Sequence, residues 1–150
     1  MHQQMKTDIE KIPTEDQWAD WQSDMELKYA HQIFSGKSNK EIQEEFYRSV
    51  IERSHELRLM PEPVFQYYML GFRDFVTAQD FSPHEAADAA SCFLDLIEYM
   101  LKNKPDHIKP IINELVDTIE FVSHNQSKFE ASKEVYGDFL TQLSRIRLLM

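Results

Sequence analysis

The chain has 150 residues, 26 of them acidic and 16 basic, for a formal charge of −10. A chain of this length buries about two-thirds of the surface its unfolded form exposes, so folding requires neither disulfide nor structural metal, and the single cysteine excludes an intramolecular disulfide. The negative balance opposes binding to nucleic acid or anionic membranes and suits solubility or a basic partner.

Cys92 sits in the apolar run Ala90-Ser91-Cys92-Phe93-Leu94, where cysteine behaves as a small core residue, and a reducing compartment is expected. The opening residues Met1 to Lys6 lack the apolar core of a signal peptide. No run approaches the roughly 18–20 apolar residues of a membrane span, so a cytoplasmic location is expected. Three glycines and six prolines are few, while Leu, Glu, Lys, Gln, Ala and Met are abundant. That balance favours helix. The chain is expected to be one helical domain over 1–150, with 1–13 a flexible N-terminal segment.

Helix starts are the strongest local signals. A Ser or Thr followed three residues later by Glu or Gln forms a capping box, and the pattern occurs at Thr14…Gln17, Ser38…Glu41, Ser82…Glu85 and Ser127…Glu130. The first helix is predicted over 15–34, with Trp18, Trp21, Met25, Tyr29 and Ile33 as its apolar stripe and Gly36 beyond its end. Ser38 opens a second, with Ile42, Phe46, Val50 and Leu57 inward and Glu41, Glu44, Glu45 and Glu52 outward. Pro61 and Pro63 stop it. The third, over 64–78, is apolar almost all round, which suits a central buried helix rich in aromatic side chains.

The fourth helix starts at Ser82-Pro83, places Ala86, Ala90, Phe93, Ile97 and Leu101 on one face, and ends at Pro105. The fifth begins by Pro110 and carries Ile108, Ile112, Leu115, Ile119 and Val122 along one stripe. The sixth opens at Ser127 and runs to the chain end with Phe129, Tyr136, Phe139, Leu140, Leu143 and Ile146. Short connections predict antiparallel neighbours, so the fold class is all-α, a bundle of about six helices.

Two enzyme readings arise from the carboxylates. Glu52-Arg53-Ser54-His55 has the Glu-x-x-His spacing of ferritin-like di-metal bundles and puts both side chains on one helical face. Glu41-Ile42-Gln43-Glu44-Glu45 with Glu85-Ala86-Ala87-Asp88 resembles the acidic pairs of all-helical nucleotide pyrophosphohydrolases. That resemblance implies a divalent metal, magnesium, on Glu41, Glu44, Glu45, Glu85 and Asp88. A second Glu-x-x-His is absent, and Glu41 and Glu85 also suit first helical turns, where acids complement the helix dipole.

The leading expectation is non-enzymatic: an adaptor, toxin-neutralising or chaperone-like module without a cofactor. Trp18 and Trp21, bordered by Glu15, Asp16, Asp20 and Asp24, have the composition of an interface anchor with a charged rim. A basic protein is the expected partner, with a second copy of the chain as the alternative. On that reading Trp18→Ala should weaken binding and leave the fold intact. Gly71, inside the third helix, points to a close approach by a neighbour.

Overall fold

The computed structural model describes residues 11–78, 81–82 and 85–150. Among them nine α-helices and three short 3-10 turns form the architecture, and there is no strand. The predicted helical class holds, but several predicted helices are broken by side-chain caps within their span.

The first of these is split. The Thr14 N–H does donate to Gln17 Oε1, at 2.9 Å, but it closes only a 3-10 turn, Glu15–Trp18, which ends at Ala19 with φ +55°. A second turn, Trp21–Ser23, follows. Helix α1, Met25–Phe34, then starts afresh because Asp24 caps it, accepting from the Glu26 and Leu27 N–H groups at 2.9 and 3.1 Å. The restart rotates the stripe. Ala30 and Phe34 face the core, whereas Met25 is 85 % and Tyr29 50 % exposed.

The Ser38–Glu41 box is complete, with reciprocal bonds of 2.9 and 3.1 Å. It leads into α2, Gln43–Arg48, which stops at Ser49. Ser49 is extended (φ −163°, ψ 94°), and its hydroxyl accepts from Glu52 N–H to cap α3, Val50–Leu59. Ile42, Phe46, Val50 and Leu57 are buried as expected. Glu45 is not outward as predicted: it is 7 % exposed, because the break turns it toward Arg53.

Helix α4, Glu62–Ala78, is the central aromatic element, with Phe65, Tyr68 and Phe72 wholly buried. Phe72 stacks on Phe46 at 5.1 Å and meets Phe93 edge-on at 5.5 Å. Both adjacent tyrosines find partners: the Asn39 N–H donates to Tyr67 Oη at 3.0 Å, and Tyr68 Oη lies 2.7 Å from the Phe34 and Lys37 carbonyls.

Helix α5, Ala86–Asn103, follows Ser82 and Glu85, whose side chains bond at 2.6 Å; the predicted proline position at Pro83 lies outside the described residues. The fifth predicted helix is three pieces: α6, Pro105–Ile108, a 3-10 segment, Lys109–Glu114, and α7, Val116–His124. Ser127 starts no helix. Glu130 has φ +55°, and the Gln126 side chain instead holds the turn, bonding the Ala131 and Gly137 carbonyls and the Phe139 N–H. Ser132 caps α8, Lys133–Tyr136, and Asp138 caps α9, Phe139–Leu149.

Helix α5 packs against α3 and α9, and α9 also against α7. One continuous cluster of buried apolar residues runs from Trp18 to Ile146. No helix among the described residues is long and apolar enough to cross a membrane. Of the predicted N-terminal segment, residues 1–10 lie outside the described residues, while Pro13 is buried.

Candidate interaction groove

Restarting α1 at Asp24 leaves Met25 and Tyr29, four residues apart on one face, one helical step off the core face, while Ile33 in the same row packs against the core. The break at Ser49 does the same for α3, whose i, i+4 row is Ile51, His55 and Leu59. The two helices pack side by side, and Glu26, in the first turn of α1, meets His55 of α3 at 4.0 Å. Their off-core rows meet to form an open groove of about 620 Å³.

Its apolar lining is Met25, Tyr29, Ile51 and Leu59, bordered by the exposed Glu26, Glu52 and His55, with the buried Glu56 also at its surface. Ile51 is 58 % exposed. Scattered apolar side chains are normal on a protein surface, but a contiguous patch bordered by charge is the usual form of an interaction site.

The acidic edge is fixed from below. Arg53 is 3 % exposed and holds Glu56 through Nε at 2.6 Å and Nη2 at 3.1 Å. The same guanidinium reaches Glu52 at 3.2 Å and Glu45 at 3.9 Å. Arg48 also contacts Glu45, at 3.3 Å. Burial pushes the Glu56 carboxyl up, against the pull of Arg53. For Arg53, burial works against its charge, and Glu56, with Glu45 and Glu52, more than offsets it. Arg53 thus satisfies the buried Glu56, and the exposed carboxylates at the groove are Glu52 and Glu26.

The acids predicted as a partner surface are exposed, but their tryptophan anchor is not. Trp18 has no exposed surface, so in this conformation it reaches no partner. It is covered by His31, edge-on at 5.1 Å, and by Tyr68. Trp21 is half-buried, stacked on the His31 ring at 3.7 Å. Glu15 receives bonds from His31 and Ser35, which hold its carboxyl below the usual range, Ser35 first. Asp20 accepts from Ser23 through its backbone, and Asp24 is spent on its cap. Asp16 is exposed.

The two carboxylate sets are held apart from metal-like geometry. Glu41, Glu44 and Glu45 line a second recess, of about 560 Å³, interleaved with Lys37, Lys40 and Arg48; those cations repel a divalent ion. Glu85 bonds Ser82, and Asp88 accepts from Tyr136 at 3.0 Å. Glu52 is engaged by Arg53, and His55 faces Glu26. Among the described residues no three His, Cys, Asp or Glu side chains converge on a point that would hold an ion. Burial raises the Cys92 thiol to about 12, which keeps it protonated and unreactive.

Comparison with protein-family profiles, with curated proteins and with solved structures found no match.

Proposed function

We propose that the protein is a non-enzymatic interaction module that docks a basic protein partner in the groove between α1 and α3. The observation that carries the reading is the meeting of Met25, Tyr29 and Ile51, all at least half exposed, on two neighbouring helices beside fixed carboxylates. Fully burying a large apolar side chain is worth about 1.5–3 kcal/mol, and a partner would recover the share that these three forgo by their exposure. The acidic edge and the overall charge of −10 favour a basic partner and repel a like-charged one.

The test is photo-crosslinking in the protein's own host cells with a photoreactive amino acid at position 29. A covalent adduct with another polypeptide is expected at position 29, absent from a control at the exposed Lys133 and lost with Ile51→Asp. Identical adduct patterns at both positions, or none at position 29, would sink the reading.

A further inference from the structure

We infer that the groove takes a single amphipathic α-helix with basic flanks; this rests on the interaction reading above. The first reason is the backbone. Both walls of the groove are helices whose N–H and C=O groups are used along their length. An extended peptide needs main-chain partners, as it finds at a sheet edge, and here it would find none. A helix brings its own hydrogen bonds and needs only side-chain contact.

The second reason is dimension. α1 and α3 have ten residues each, which gives walls about 15 Å long at 1.5 Å per residue. A docked helix covers that length with nearly three turns, so apolar residues at i, i+3 or i+4, and i+7 reach the floor of Met25, Tyr29, Ile51 and Leu59. The third reason is charge. Glu26 stands on the α1 wall and Glu52 on the α3 wall, both largely exposed, so a helix in the groove has a carboxylate on either side. Glu52 is already positioned by Arg53, which lowers the ordering cost of pairing with lysine or arginine. A second copy docked through the same face would bring two acidic faces together.

The experiment uses the full chain and acetylated, amidated peptides of about 14 residues, close to four turns. One carries leucines at the stated spacing with lysines on both flanks. A second replaces lysine with glutamate, and a third keeps the lysine composition with a central proline. Binding is read by peptide fluorescence anisotropy and by the NMR shifts of the Met25 and Ile51 methyl groups.

The lysine helix is expected to shift both methyls and to bind at least about tenfold more tightly than either control. Its affinity should fall with added salt, and Glu26→Lys with Glu52→Lys should reverse the preference toward the glutamate peptide. Equal binding of the two charged helices, equal binding of the proline peptide, or unshifted methyls would overturn the assignment. So would a dimer of the free protein that Ile51→Asp dissociates, which would give the groove to a second copy. If the peptides fail while the position-29 crosslink persists, the helical occupant is wrong and the interaction reading stands. Loss of that crosslink sinks both.

Discussion

Asn39 lies directly over Gly71: a Cβ placed on the glycine would come within 2.3 Å of Asn39 Oδ1 and 2.8 Å of its Cγ. The missing side chain lets the 38–43 turn press onto α4, where Asn39 Nδ2 donates to the Tyr67 carbonyl at 2.8 Å and Gln43 Nε2 to the Gly71 carbonyl at 3.1 Å. Alanine would gain about 1 kcal/mol of helix propensity but displace these bonds, each worth about 1 kcal/mol. With the steric clash added, Gly71→Ala should destabilise by about 1–3 kcal/mol in chemical denaturation. In an Asn39→Ala background the same change should become neutral or favourable, and a cycle showing no coupling would refute the contact.

Trp18 is expected to behave as core. Trp18→Ala should cost about 3–5 kcal/mol, whereas Asp20→Lys on the exposed turn should stay within about 0.5 kcal/mol. Thermal melts of the two variants decide this, and a stable Trp18→Ala protein would return that residue to the surface.

The charge network beneath the groove gives a sharper contrast. Arg53→Met strips Glu56 and Glu45 of their buried partner and should cost about 3–5 kcal/mol, while Arg53→Met combined with Glu56→Leu should recover most of the loss. Urea midpoints of the single and double variants measure it. No recovery would mean that the arginine's packing, not its charge, is what matters.

His107 sets an acid-side dependence. Burial, with Lys104 beside it, holds the imidazole below its usual 6.5. The unfolded chain therefore takes up the proton first as pH falls, and stability present above 6.5 is lost progressively from there through the folded value. His107→Gln should lose less stability than the parent between about one pH unit above and one below that point. Parallel slopes for the two proteins would count against it.

The apolar periods of the third and fourth predicted helices, and the prolines after Leu59 and at 105, carried most of the bundle. Ile42, Phe46, Phe93 and Ile97 are buried on the faces their spacing indicates. Those features are local: spacing, caps and breakers act within a few residues of themselves. The groove was legible only in part. The apolar spacing of Met25 and Tyr29 reads as one stripe continuous with Trp18, and Ile51 lies off the inward row of its helix. The signal available was the second i, i+4 row on each helix, Met25-Tyr29-Ile33 and Ile51-His55-Leu59, left over once Ala30-Phe34 and Val50-Ser54-Leu57 are taken as core.

By itself the sequence determined that the chain is helical, acidic and built round an aromatic helix, because composition and periodicity bear directly on which segments bury a face. Only the tertiary structure decided where the helices restart. Asp24, Ser49 and Asp138 are unremarkable as letters and become caps when the chain on either side must turn to reach the core. Each restart rotates the following helix about its axis. Those restarts set Glu45 and Glu56 against Arg53 and left Met25, Tyr29 and Ile51 facing water together, while the turn that ends at Ala19 keeps Trp18 inside.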